Sequence, residues 1–132
     1  MQNYPPEFIL LTIPEEQKRG ILIKDDIVEH CVQLFTIVLA EVDDKYIVFY
    51  LYDIRKPGHR CRLVVYNSLT AAKELLGEDF VQPNQSMVFN RIYLKDIEDG
   101  TYVHLHYPVD LPTIKITEAF RKSFFASLPH RL

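Results

Sequence analysis

Two histidines, His104 and His106, stand one residue apart in the stretch EDGTYVHLHYP, where the alternation of side chains reads as a β-strand. Imidazoles two apart on a strand lie about 6.5–7 Å from each other at Cα, close enough to share a metal ion. A catalytic zinc needs three protein ligands and a structural one four. Asp99-Gly100 is a dinucleotide suited to a two-residue hairpin turn, which would place His104 opposite Lys95 and His106 opposite Tyr93. A lysine beside the pair opposes cation binding, and the spacing of His30, His59 and His130 supplies no third ligand. Neither a metal nor a cofactor is therefore expected, and the pair reads as one part of a polar sheet face.

Other reactive side chains give no stronger chemistry. Cys31 follows His30, but neighbours on a helix point about a quarter-turn apart and Cys31 falls on an apolar stripe, so it reads as a core cysteine. No GxSxG, Walker, GxGxxG or HExxH pattern is present, and enzymatic chemistry has no support. Glu78-Asp79 and the group Asp96, Glu98, Asp99 sit in or beside turns, where acidic residues are commonplace. The stretch RKPGHRCR, residues 55–62, could hold a phosphate or an acidic partner, and reads first as a solvated turn.

The elements that must position these groups follow from the hydrophobic pattern. A strand is expected at residues 7–13, and a helix from Asp26 with Ile27, Cys31, Leu34 and Phe35 on its apolar side. Residues 36–42 fit either a strand or the end of that helix; a strand is expected because a turn at 43–45 then feeds KYIVFYLYD. A strand at 61–66 precedes a short helix capped by Asn67 or Ser68 and stopped by Gly77. A loop containing Pro83 leads to a strand in SMVFNRIYLKDI and then to the histidine strand. Ile116, Phe120, Phe124 and Leu128 mark a last helix that Pro129 ends. The expected fold is α+β: an antiparallel sheet of five or six strands with two or three helices packed mainly on one face.

With 132 residues, 48% of them hydrophobic and 25% charged, the chain reads as a single globular domain over 1–132. The two cysteines lie outside any CxxC pattern and are expected to be buried and reduced, over a disulfide. No apolar run is long enough to span a membrane, and the start lacks the features of a secretory signal, so a cytoplasmic location is expected. The net charge of −3 argues against wholesale electrostatic binding to nucleic acid, while leaving room for a local basic patch.

Sorting the hairpin by alternation puts Ile92, Leu94, Val103, Leu105 and Tyr107 toward the core and Arg91, Tyr93, Lys95, Tyr102, His104 and His106 on the reverse. The same sorting leaves Tyr46, Val48, Tyr50 and Tyr52, and Arg60, Arg62 and Tyr66, on the reverse of the other strands. If these faces coincide, they form one aromatic and basic surface. The residues expected to bind are Tyr50, Arg60, Arg62, Tyr93, Lys95, His104 and His106. The expected function is a non-enzymatic module that binds another protein, or a second copy of itself, through that face or an edge strand. The alternatives are a single-stranded nucleic-acid or anion binder using Arg55, Arg60 and Arg62, and a small enzyme of unidentified chemistry.

Overall fold

The structure, a computed structural model, describes residues 13–24, 28–52, 61–107 and 111–128. The strand expected at 7–13, apart from Ile13, and the turn at 55–60 lie outside the described residues. Within them the chain forms ten strands, two helices and three single 3-10 turns. The strands are β1 (Gly20–Lys24), β2 (Glu29–Gln33), β3 (Ile37–Asp43), β4 (Tyr46–Leu51), β5 (Cys61–Tyr66), β6 (Phe80–Asn84), β7 (Met87–Asn90), β8 (Leu94–Glu98), β9 (Tyr102–Leu105) and β10 (Ile114–Lys115). The helices are α1 (Leu69–Leu76) and α2 (Glu118–Ala126). The fold is thus α+β and mostly antiparallel sheet.

The strands do not join into one sheet with helices on one side, as the sequence suggests. They form a central five-stranded sheet in the order β5-β4-β3-β7-β6, a three-stranded sheet β10-β9-β8 and the two-stranded hairpin β1-β2. Both faces of the central sheet carry a core. One face gathers Ile37, Ala40, Ile47, Phe49, Val65 and Val88 under Ala72 and Leu76 of α1 and Ile21 and Ile23 of β1. The other gathers Leu39, Val81, Met87 and Phe89 under Val103, Ile114, Ile116 and, from α2 and its end, Phe124 and Leu128. Strand β3 is buried from Ile37 to Ala40 for this reason, and its continuous apolar run is what a strand covered on both sides needs.

Several local expectations change for physical reasons. The helix expected from Asp26 is instead strand β2, paired with β1 residue by residue from Gly20 opposite Gln33 to Lys24 opposite Glu29, so tertiary pairing overrides the helical spacing. Cys31 consequently points outward, exposed and free, rather than into the core. The Pro83 loop is part of β6, an edge strand whose register with β7 slips between Val81 and Asn84, where a residue lacking N–H is tolerated. The strand expected across SMVFNRIYLKDI is broken by a 3-10 turn at Arg91–Tyr93. The ends of α1 follow the sequence reading: Ser68 Oγ accepts from Ala71 N at 3.1 Å, and Gly77 ends the helix at φ 88°.

Two fully buried amides tie these layers together. Gln17 Nε2 donates to Asn90 Oδ1 at 3.0 Å, and Asn90 Nδ2 donates back to Gln17 Oε1 at 2.9 Å. Asn90 Nδ2 also reaches the Ile37 carbonyl at 3.1 Å, while Gln17 Nε2 reaches Asp79 Oδ2 at 3.2 Å. Asp79 Oδ1 in turn accepts from Arg91 Nη2 at 2.9 Å, and Arg91 Nη1 donates to the Ser127 carbonyl at 3.2 Å. Asn90→Leu should destabilise the fold by about 3 kcal/mol, because it strands the buried amide of Gln17. In a double-mutant cycle by denaturant unfolding, Gln17→Leu with Asn90→Leu should cost less than the sum of the two singles. Strict additivity would show that the two amides are not coupled.

Candidate functional site

The residues expected to bind do not share one surface. Tyr93 is turned inward by the 3-10 turn and is only 1% exposed; its OH donates to the Phe35 carbonyl at 2.6 Å. Burial, reinforced by the nearby Tyr52 and Tyr107, raises its pKa far above the usual tyrosine value. Tyr52 is likewise buried, which pushes its pKa up to about 12, and its ring meets that of Tyr107 edge-on at 6.1 Å. Tyr107 OH donates to the Leu51 carbonyl at 2.9 Å. These three tyrosines fill the seam between the central and three-stranded sheets, so Tyr52 and Tyr93 of the aromatic face lie in a covered interior.

On one side of that seam lie Tyr50 and Arg62, opposite each other on β4 and β5. Tyr50 is half-buried and its OH donates to Glu41 Oε1 at 3.0 Å; desolvation first, then this carboxylate, raise its pKa, with Arg62 opposing. On the other side, Lys95 and His104 are exposed on the small sheet, with half-buried His106. Arg60 lies outside the described residues.

The surroundings of the histidines also change. The β8–β9 turn has three residues, Asp99, Gly100 and Thr101, so Glu98 pairs with Tyr102 and His104 faces Asp96 rather than Lys95. Asp99 and Gly100 take positive φ, 53° and 64°, which suits Asp and Gly. His104 Nε2 lies 2.8 Å from Glu98 Oε1, an exposed ion pair when the imidazole is protonated. Among the described residues no three His, Cys, Asp or Glu side chains are grouped as metal ligands.

A different group of polar residues converges at one end of the central sheet. Antiparallel pairing brings the β3–β4 turn, with Asp44 at φ 58° and Lys45, beside the β6–β7 turn of Gln85 and Ser86. Val42 N donates to the Ser86 carbonyl at 2.8 Å and joins the two turns. Asn84 shapes the second turn from within: Oδ1 accepts from Ser86 N and Nδ2 donates to the Lys115 carbonyl, both at 2.8 Å. Thr117 N donates to the Pro83 carbonyl at 3.1 Å, seating the start of α2 against the same strand. Lys45, Gln85, Ser86 and Lys115 are exposed here, and β5 brings exposed Tyr66 and Asn67 to the same end. Lys115 also borders an open recess of about 460 Å³ with Thr101, Tyr102, Glu118 and Arg121, where Arg121 Nη1 donates to the Gly100 carbonyl at 2.6 Å. Such an end offers the cations Lys45 and Lys115 and the carboxylates Asp43 and Asp44 beside neutral donors and acceptors held on turns. The sequence signal for it is NQS after Pro83, which reads as an ordinary loop until its neighbours are known.

No family model matches the chain, and no curated protein does. Among solved structures, the chain is similar to the LytTr DNA-binding domain of a protein described as a methyl-accepting/DNA response regulator from Bacillus cereus. The TM-score is 0.61 at 15% identity, and the likeness covers 83% of this chain and 96% of that one. The two share a fold. No helix among the described residues is long and apolar enough to cross a membrane.

His106 carries a pH dependence that the histidine pair alone does not reveal. Its pKa is lowered, first by burial and then by Lys95, with Asp96 opposing. The unfolded chain therefore binds more protons than the folded one below the ordinary value of 6.5, and His106 favours folding less as pH falls through that range. Denaturant unfolding between about pH 7.5 and 5 should show stability falling with pH, and His106→Gln should flatten part of that slope. An unchanged slope in the variant would assign the effect to other groups.

Proposed function

We propose that the chain binds DNA through the turn-bearing end of the central sheet. Lys45 and Lys115 meet phosphates, and Gln85 and Asn67 present the neutral donors and acceptors that suit base edges. The single observation that carries this reading is the likeness in fold to a LytTr DNA-binding domain over 96% of its length. The convergence of exposed cations and amides at one end supports it and gives it a location.

This reading replaces the expectation of a protein-binding module acting through the aromatic sheet face or an edge strand. Burial of Tyr93 removes the centre of that face, and the likeness favours the nucleic-acid alternative instead. Of the cations expected for the nucleic-acid alternative, Arg55 and Arg60 lie outside the described residues and Arg62 stands on β5 opposite Tyr50; the location proposed is the sheet end. Asp43 and Asp44 adjoin Lys45, so that turn carries no net positive charge and few phosphates are engaged. Two phosphate contacts correspond to a slope of about −2 in log affinity against log salt, shallow for a DNA-binding protein.

Fluorescence anisotropy with duplex pools at several salt concentrations tests the reading. Lys115→Ala should weaken binding to all sequences and make the salt slope shallower by about 1. Gln85→Ala should instead change the ranking among sequences and leave the salt slope as it was. Duplex binding that ignores both substitutions would rule out this end of the sheet.

A further inference from the structure

The seam between the central and three-stranded sheets holds a buried polar atom that meets no hydrogen-bond partner among the described residues, the hydroxyl of Tyr52. Tyr52 directly follows β4 and is 4% exposed, within the core that joins the two sheets. A phenol in that state gives up its bonds to solvent with nothing in return, and buried polar groups in folded proteins are nearly always bonded to protein or to an ordered water. The residue is held in place from both ends. Tyr52 N donates to the Thr36 carbonyl at 2.7 Å, and the ring lies edge-on to Tyr107 with centroids 6.1 Å apart.

The neighbouring hydroxyl defines what would fit. Tyr93 commits its one phenolic proton to the Phe35 carbonyl at 2.6 Å, so its oxygen can still accept. Tyr52 has the opposite need, a proton with no acceptor. The two phenols interact electrostatically, yet no hydrogen bond joins them. That relation suits one small bridging molecule, which must accept from Tyr52 and donate to Tyr93. A metal cation cannot accept and a bare anion cannot donate. The core that Tyr52 shares with Val38, Leu39 and Val103 also disfavours any charge.

We infer that the seam is a binding site for one ordered water, which accepts from Tyr52 Oη and donates to Tyr93 Oη. The water links the end of β4 to the turn that leads into β8. It thereby ties the central sheet, whose turns carry Lys45 and Gln85, to the chain entering the sheet that carries Lys115. Apolar packing alone tolerates sliding of one layer on another. A bridge between two fixed hydroxyls fits one relative position, so the water helps to set the register of the two sheets. The link belongs to the fold and does not depend on DNA.

Denaturant unfolding of the full chain and a high-resolution crystal structure test the site. Tyr52→Phe removes only the hydroxyl and should lower the folding equilibrium constant about fivefold, the effect of one lost hydrogen bond. Tyr93→Phe should lower it as well, and the double variant should lose about threefold less than the product of the singles, because hydroxyls without a direct bond are coupled only through what bridges them. The crystal structure should show a water within hydrogen-bond distance of both oxygens. Tyr52→Phe folding more tightly than the unsubstituted chain would mean that the hydroxyl is an orphan and would overturn the site. A direct bond from Tyr52 Oη to a protein acceptor in the crystal would overturn it too, in favour of a closer approach of the two sheets. Should Tyr93→Phe fail to fold, Tyr52→Phe and the crystal structure decide between these outcomes.

Discussion

A primary amide taken out of water without partners costs several kcal/mol, and Gln17 and Asn90 are both fully buried. Each satisfies the other, and the remaining capacity of Asn90 sets much of the surrounding geometry. Its Oδ1 also accepts from Ile92 N at 3.3 Å, which caps the 3-10 turn that follows β7. That turn rotates Tyr93 into the seam between sheets and redirects the chain from the central sheet into β8. One side chain thus fixes the entry of β3, through the Ile37 carbonyl, and the exit of β7. The arrangement of three sheets depends on it more than on any single apolar contact, since an unmatched amide permits few alternative packings.

The two-sided core follows from this crossing. Once the chain leaves the central sheet at Tyr93, the β8–β9 hairpin and α2 are carried over the face that would otherwise be open, while α1 and the β1–β2 hairpin cover the opposite one. The covering layer is narrower than the sheet. Its edge falls along β4, leaving the tyrosines of β4 and β5 partly in water beside turns rich in polar groups. The sheet therefore leaves exposed side chains at one end, on turns, and along the β4–β5 margin.

Much of the central sheet was readable from the chain. Residues 46–51 and 61–66 alternate cleanly, the cap and stop of α1 are explicit in Ser68 and Gly77, and the turn at 44–45 separates two apolar runs. The failures share a cause: short segments in which two periodicities fit equally well, decided by partners far away in sequence. Cys31, Leu34 and Phe35 lie at helical spacing, yet pairing with β1 makes 29–33 a strand. Tyr93 sits in strand-like sequence, yet the Asn90 cap bends it inward. The site was less readable than the fold, because Lys45, Asn84, Gln85 and Lys115 come from separate turns and strands and share no motif. Tyr50 and Arg62 stand opposite each other on β4 and β5, a pairing the alternation of each strand alone does not give, and the histidines belong to another sheet.

The turn of the β8–β9 hairpin contains three residues rather than two, a difference of one backbone step. In coding terms it carries a single bit, and that bit sets the sign of the charge each histidine-strand side chain meets across the ladder. Because alternation in β9 is fixed by Val103 beneath it, turn length cannot change which residues of that strand face outward, only whom they face. With three turn residues His104 meets Asp96 across the ladder and lies 2.8 Å from Glu98 Oε1, where a two-residue turn would have set it against Lys95. Loop length in this domain is thus an electrostatic variable as well as a geometric one.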